Sequence, residues 1–234
     1  MVYDWNCYMP GDGSLQQWLD AHQGEESEYI NYFCGCDLGR KRDPSTLAII
    51  ETQYTGSDRI YVVPYLKRFR LSMLYTDIAS KLVKTDESLK RIAAKRGKQA
   101  SNTFILDATG LGAPICELVE KKLGPLADVK RVYLTGGINT TVGSEYNEYH
   151  VPKGQLISGL MAAFDSKSIY MTRRSKEIDQ IVTELAEFQI HITDQGRDHF
   201  DDRGKGHHSD LVIALALAVW AADFDGYTGG PMIW

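Results

Sequence analysis

The sequence predicts an α/β fold: a mixed sheet, made of an antiparallel meander followed by parallel strands, flanked by helices. The first observation is a set of three short apolar runs between residues 32 and 66, with breaks short enough for an antiparallel meander. The second is the pattern that follows, in which helical spacing of apolar residues alternates with short strand-like runs. Such alternation is typical of parallel strands joined by helices.

Each element follows from a local pattern. Short apolar runs predict strands, and Pro64 favours an edge position for the third strand because proline cannot donate to the ladder. Apolar residues at helical spacing predict the helices, one of which has Pro114 in its first turn. The predicted elements are strands Tyr32–Cys36, Thr46–Gln53, Ile60–Leu66, Thr103–Leu106 and Val129–Leu134, helices Tyr75–Arg96, Gly112–Leu123, Pro152–Phe164, Lys176–Phe188 and Ser209–Ala222, short strands near Ile169 and Ile190, a loop or small hairpin over 138–150, and a short helix around Leu15–His22.

Composition narrows the class of protein. The chain has 234 residues, of which 43% are hydrophobic and 24% charged, enough for one sizeable core. The longest apolar run, Leu211–Ala222, is shorter than the roughly 18 residues that a membrane span requires, so no membrane is expected as a partner. The N-terminus lacks the pattern of a signal peptide, and the four cysteines are too few for a disulfide framework, so a cytoplasmic protein is expected.

Charge divides the chain unevenly. The first 30 residues carry six acids and no Lys or Arg, so the remaining residues sum to +1 of the total of −5. We therefore expect an acidic N-terminal leader over 1–30, a domain over 31–226 and a short tail over 227–234. A nearly neutral domain does not exclude a polyanionic partner, because affinity for phosphates depends on local clusters of Lys and Arg.

Three aspartates stand where chemistry is expected. Asp37 and Asp107 each follow a predicted strand, and Asp210 stands at the head of the apolar last helix. Taken alone, an aspartate at a strand end starts a turn, and Asp210 or Ser209 would cap the helix N-terminus. Together they predict one site, because ligands bind outside the carboxyl ends of strands and so apolar a helix must pack on the sheet.

Three converging carboxylates without obvious cationic partners repel one another. Divalent cations with oxygen ligands relieve that repulsion, and Mg²⁺ or Mn²⁺ are the hard ions that such a set selects. Two ions about 3.5–4 Å apart support phosphodiester hydrolysis, which makes a nuclease the expected activity. Asp43 and the pair Asp201-Asp202 are possible auxiliary acids, although exposed loop charge explains the pair better.

Basic clusters offer contacts for phosphates. They lie at residues 40–42, 67–70, 95–98 and 173–174, and for each a solvated loop or helix end is the alternative. Arg40, Lys41 and Arg42 follow Asp37 directly, so we expect this loop near DNA. Other chemistries lack their motifs: the chain has no P-loop, no complete dinucleotide fingerprint, no G-x-S-x-G elbow and no Cys/His cluster at zinc spacing.

At these residues the sequence resembles the C-terminal nuclease domain of the large terminase subunit of tailed bacteriophages, a member of the ribonuclease H-like superfamily. The matching segments, in chain order, are residues 34–45 (CGCDLGRKRDPS), 106–112 (LDATGLG), 134–137 (LTGG), 151–156 (VPKGQL), 184–188 (ELAEF) and 208–218 (HSDLVIALALA). The resemblance covers about residues 31–222.

The resemblance implies a ribonuclease H-like fold and a metal-dependent endonuclease that cuts concatemeric double-stranded viral DNA during packaging. It implies metal binding by Asp37, Asp107 and Asp210, with Asp43 as an accessory acid and Lys153 near the scissile phosphate. It also implies a portal protein and a small terminase subunit as partners, in the cytoplasm of a bacterial host. The polar stretch 138–150 matches a hairpin or loop that borders the active site in the family.

The sequence departs from that family in two respects, and other classes remain open. The ATPase motor of full-length terminases has no counterpart here, and Ser209 stands where the family often has a second acid, which Asp202 or His208 would replace. An actin-like ATPase or sugar kinase is one alternative, since Asp37-Leu38-Gly39 could open a phosphate-binding hairpin. A Holliday-junction resolvase of the same superfamily and a non-enzymatic DNA-binding remnant are the others.

Overall fold

A computed structural model describes residues 27–39, 43–55, 58–110, 113–171, 176–194 and 209–226. The predicted helix around Leu15–His22 and the tail 227–234 lie outside these ranges. The described ranges contain strands β1 (Tyr29–Asp37), β2 (Thr46–Thr55), β3 (Asp58–Arg68), β4 (Gln99–Asp107), β5 (Asp128–Thr135), β6 (Thr141–Val142), β7 (Glu148–Pro152) and β8 (Ile169–Met171), and helices α1 (Tyr75–Lys95), α2 (Ala113–Leu123), α3 (Lys153–Asp165), α4 (Lys176–Asp194) and α5 (Asp210–Gly226).

The strands form one mixed sheet in the order β6-β7-β5-β4-β1-β2-β3-β8. β1, β2 and β3 are an antiparallel meander, whereas β4, β5 and β7 add to it in parallel from β1 outward. The stretch predicted as a loop or small hairpin forms one, with β6 antiparallel to β7. The predicted fold class, a mixed sheet flanked by helices, is confirmed.

One predicted strand is wrong. The alternating apolar residues near Ile190 lie inside α4, which continues to Asp194. Ile178, Ile181 and Leu185 are buried at spacings of three and four, so the helical period is established before that stretch begins. With no Gly or Pro to end the helix, cooperative propagation carries it through.

The edge position predicted for Pro64 is also wrong, because β8 pairs with β3 outside it. That pairing covers only residues 61–63, and toward β2 the register shifts between Ile49 and Glu51. β3 therefore has one extra residue, a β-bulge that includes Pro64, where no ladder hydrogen bond is needed. The bulge also changes which β3 residues share a face: Tyr61 and Val63 before it, then Leu66 after it, pack in the same core.

Two cores cover the two faces of the sheet. On one face, α1 and α2 pack against residues such as Tyr32, Phe104 and Leu106. On the other, α5 lies between the sheet and helices α3 and α4, so residues 211–222 are all buried. An all-apolar helix is therefore an interior element here, as its sequence predicts. No helix in the described part of the chain is both long and apolar enough to cross a membrane.

Gly35 allows α5 to approach β1 closely. A Cβ atom at this position would lie 1.9 Å from the carbonyl oxygen of Ala214 and 2.9 Å from the amide nitrogen of Ala218. The contact is with backbone rather than with a flexible side chain, so no rotamer change can relieve it. Glycine in β1, facing alanines in α5, is therefore what lets helix and strand pack backbone to backbone.

We expect Gly35→Ala to lower the free energy of unfolding by about 1–3 kcal/mol or more, because the methyl group must displace α5. Gly159→Ala is the matched control. Gly159 lies inside α3, where a Cβ atom would meet nothing within 4 Å, so the same change should stabilise by about 0.5–1 kcal/mol through helix propensity. Urea denaturation of both variants measures the difference, and equal effects of the two changes would contradict the proposed contact.

Candidate active site

Asp37 and Asp107 end neighbouring parallel strands. In the β1–β4 register Cys36 pairs with Leu106, so the next residues of the two strands are the two aspartates. Side chains alternate along a strand, and Phe33 in β1 and Ile105 in β4 belong to the core beneath α5. Asp37 and Asp107 therefore both lie on the face that α5 covers.

The N-terminus of α5 brings Asp210 to the same edge of the sheet. Thr46 on β2 is the register partner of Asp37, and its hydroxyl donates a 2.9 Å hydrogen bond to the carbonyl oxygen of Asp210. The side chain of Asp210 is 14% exposed. The backbone positions of the three predicted acids thus meet at one edge of the sheet. Within the described ranges, however, no three His, Cys, Asp or Glu side chains form a ready-made metal-binding group.

Asp107 is buried, and two of its neighbours favour its charged form. Burial raises the pKa of Asp107, while a hydrogen bond that its Oδ1 accepts from the Thr109 amide at 2.7 Å and the nearby charge of Lys153 lower it. Lys153 is the first residue of α3 and follows β7 directly. The structure thus brings two residues that the sequence singled out, Asp107 and Lys153, into electrostatic contact.

Of the remaining predicted residues, the structure describes only Asp43. Asp43 is exposed, and its carbonyl lies against Gly39, where a Cβ atom would be 2.1 Å from that oxygen. Gly39 and Asp43 therefore lie close together. The other predicted auxiliary and DNA-binding residues lie outside the described part of the chain: Arg40, Lys41, Arg42, Asp202 and His208.

Comparison with known proteins gives the fold. The terminase nuclease domain of human cytomegalovirus, soaked with Mn, aligns with a TM-score of 0.57 and 12% identity over 88% of this chain and 89% of that one. The chain has the ribonuclease H-like fold of a terminase nuclease domain. An inhibitor-bound form of the viral domain aligns over 95% and 96% of the two chains, with a TM-score of 0.56 and 10% identity.

A large terminase nuclease from the thermophilic phage G20c also aligns, at 22% identity over 81% of each chain, with a TM-score of 0.47. No family model matches the sequence, and no curated protein does. At identities this low the likeness to terminase nuclease domains shows the fold alone.

In this terminase-nuclease fold, the helix that carries Asp210 is capped by a residue that the sequence analysis did not predict. The backbone carbonyl of Ser209 accepts the first hydrogen bond of α5, from the amide of Ile213 at 3.0 Å. The amides of Leu211 and Val212, which an N-cap side chain ordinarily receives, instead donate to Oε2 of Glu184 at 3.2 and 3.3 Å. Neither predicted cap, Ser209 or Asp210, is therefore needed for those two amides.

Glu184 also binds a cation that the sequence analysis did not assign to the site. Its Oε1 accepts a 2.5 Å hydrogen bond from Nη2 of Arg68, and Nε of Arg68 lies 3.8 Å from Oδ2 of Asp210. The expectation that the acids lack cationic partners is thus wrong. The sequence does contain a sign of this contact. Glu184 lies on the same helix face as the apolar residues Ile178, Ile181 and Leu185, so it is expected to be buried, and a buried acid requires a partner.

The environment of Glu184 has a measurable consequence. Burial raises its pKa from 4.5 to about 7; Arg68 and the Val212 amide oppose this shift, and the charge of Asp210 adds to it. Glu177 lies about two turns earlier in α4, and its Oε1 accepts a 2.6 Å hydrogen bond from Nζ of Lys67. Burial also raises the pKa of Glu177, but Lys67 and Lys176 outweigh burial and hold it below 4.5.

We expect Glu184→Gln and Glu177→Gln to change the pH profile of stability in different ranges. A raised pKa in the folded state stabilises fully below pH 4.5, and that contribution is lost as the pH rises through about 7. The parent should therefore lose stability relative to Glu184→Gln as the pH rises across that window. Relative to Glu177→Gln it should lose stability only as the pH falls below 4.5. Urea denaturation at several pH values measures both, and parallel profiles for parent and Glu184→Gln would contradict the raised pKa.

Proposed function

We propose that the chain is a metal-dependent endonuclease that cuts concatemeric double-stranded viral DNA during genome packaging. The observation that carries this proposal is the meeting of three acid-bearing ends at one edge of the sheet. Asp37 and Asp107 end adjacent parallel strands, and the Thr46 hydroxyl holds the first residue of α5, Asp210, beside them. The likeness of the fold to terminase nuclease domains supports the same activity.

The residues present fit a hard divalent cation. They supply carboxylate oxygens, which Mg²⁺ and Mn²⁺ prefer, and burial raises the pKa of Asp107, so a nearby cation would favour its charged form. The cytomegalovirus domain was soaked with Mn, which supports the same choice of ion here. When bound by Asp37, Asp107 and Asp210, two such ions would activate a water molecule and stabilise the leaving oxygen.

The other residues would bind and orient the DNA. Lys153 lies close enough to Asp107 to lower its pKa, so its ammonium group would contact a phosphate placed at the acids. Arg40, Lys41 and Arg42 follow Asp37 in sequence and would bind the flanking backbone without reading bases. The partners that this function requires are double-stranded DNA, a portal protein and a small terminase subunit, in the cytoplasm of a bacterial host.

We expect Asp37→Asn, Asp107→Asn and Asp210→Asn each to abolish cleavage of supercoiled plasmid in MgCl₂ or MnCl₂ without ATP. Loss of outer partners of a metal site alone costs roughly 10–100-fold, so each loss of a ligand should exceed roughly 100-fold. Stability should change by less than about 1 kcal/mol for Asp210→Asn, because Glu184 receives the amides that a cap would bind. Gel assays and urea denaturation measure the two effects.

Asp165→Asn is the matched control, since Asp165 is exposed at the last turn of α3. It should cleave like the parent, and EDTA should stop both. Near-parental cleavage by any of the three site variants would remove that residue from the site. Turnover of ATP without cleavage would instead favour the actin-like alternative.

A binding measurement tests the metal without requiring activity. MnCl₂ should raise the thermal midpoint of the parent, because an ion that binds only the folded state stabilises by about 2.7 kcal/mol at 100 times its dissociation constant. The triple variant Asp37→Asn/Asp107→Asn/Asp210→Asn should remain folded and lose the shift, whereas Asp165→Asn should keep it. A shift that survives in the triple variant would place the ion elsewhere.

A further inference from the structure

Arg68 belongs to a row of residues that crosses three strands toward the site. In the sheet register Asp37 pairs with Thr46, and Thr46 pairs with Arg68. Register partners point to the same face, and the Thr46 and Arg68 side chains both reach Asp210 at the start of α5. The bulge at Pro64 explains why Arg68 faces α5. The extra residue shifts the alternation of side chains in β3, so that Leu66 and Arg68 point to the face that α5 covers.

Glu184 connects this row to the helix end. One of its carboxylate oxygens accepts from Arg68 at 2.5 Å and the other accepts from the amides of Leu211 and Val212. Arg68 also donates to Gln180 at 3.3 Å, whereas its distance to Asp210 is 3.8 Å. The guanidinium group is thus held mainly by α4, with Asp210 at the outer limit of an ion pair.

We propose that Arg68 and Glu184 are positioning residues that set the metal affinity of Asp210, an inference that rests on the proposed function. Glu184 fixes the end of α5 and at the same time draws Arg68 away from Asp210. Arg68 then stays 3.8 Å from Asp210 and competes less with a divalent cation for that carboxylate. Without the carboxylate of Glu184, Arg68 would pair closely with Asp210 and compete with the metal.

Glu184→Gln tests this competition with almost no change in shape. The amide oxygen of the glutamine can still accept hydrogen bonds from the amides of Leu211 and Val212. Its NH₂ group then faces Arg68, and because both groups are donors they cannot bond, so the guanidinium moves toward Asp210. The probe is MnCl₂, titrated at about pH 8. This pH lies above both the ordinary and the raised carboxyl pKa values, so the carboxyl groups are ionised. Free Mn²⁺ is measured by electron paramagnetic resonance, and circular dichroism checks that each variant is folded. We expect the half-saturating concentration to rise roughly two- to fivefold.

Two further variants separate positioning from stability. Glu177→Gln removes an acid from the same helix, one that pairs with Lys67 rather than with Arg68, and should bind Mn²⁺ like the parent. Arg68→Gln/Glu184→Gln removes the competing cation as well, so its affinity should return to the parental value or exceed it. A merely structural role for Glu184 would lower the melting temperature of both Glu184 variants without separating their Mn²⁺ affinities.

The outcomes distinguish this inference from the function on which it rests. Parental Mn²⁺ affinity in folded Glu184→Gln overturns the inference, as does a double variant that binds several-fold more weakly than the parent. If the parent binds no Mn²⁺, or if Asp210→Asn binds it as well as the parent does, the proposed metal site itself fails and the inference fails with it. A loss in Glu184→Gln that the double variant restores supports both.

Discussion

The contact between Gly35 and the backbone of α5 is the constraint on which the rest of the site depends. From Gly35 to Asp37 the chain advances two residues at about 3.3 Å each, and from Ala214 back to Asp210 it retreats four residues at about 1.5 Å each. Both paths cover roughly 6–7 Å, and the hydrogen bond from Thr46 to Asp210 shows that they lead to the same edge. A larger residue at position 35 would move α5 outward and carry Asp210 away from the two strand ends.

The acids at that edge of the sheet are largely buried, and burial makes their negative charge unfavourable. Asp107 is buried, and the side chain of Asp210 is 14% exposed. Arg68 is bound chiefly by Glu184, and Lys153 is close enough to affect Asp107 electrostatically. Burial raises the pKa of both Asp107 and Glu184, which shows that negative charge here is costly. The divalent cation proposed above would offset that cost.

Local pattern predicted the elements and the three acid positions, because strand ends, turns and apolar helices are encoded by neighbours in sequence. It failed near Ile190, where a helix that begins upstream continues through an alternating run, and it failed where the deciding contact is distant in the chain. Nothing near Ser209 indicates that Glu184, on another helix, receives the amides of α5. Pro64 predicts a missing donor but not whether an edge or a bulge accommodates it. The Arg68 contact depends on that bulge, so no rule of alternation along β3 could have placed it at the site.

The division of roles between Glu184 and Asp210 bears directly on what Asp210 is for. An acid in the first turn of a helix ordinarily stabilises the helix through its amides and macrodipole. Here Glu184 already receives the Leu211 and Val212 amides, and Asp210 contributes to raising the pKa of Glu184, so the two carboxylates repel each other across one helix end. A second acid that duplicates a satisfied cap costs stability unless it serves another purpose. Binding a cation would offset that repulsion, and neither Ser209 nor an asparagine at position 210 would supply the negative charge that Asp210 brings to it.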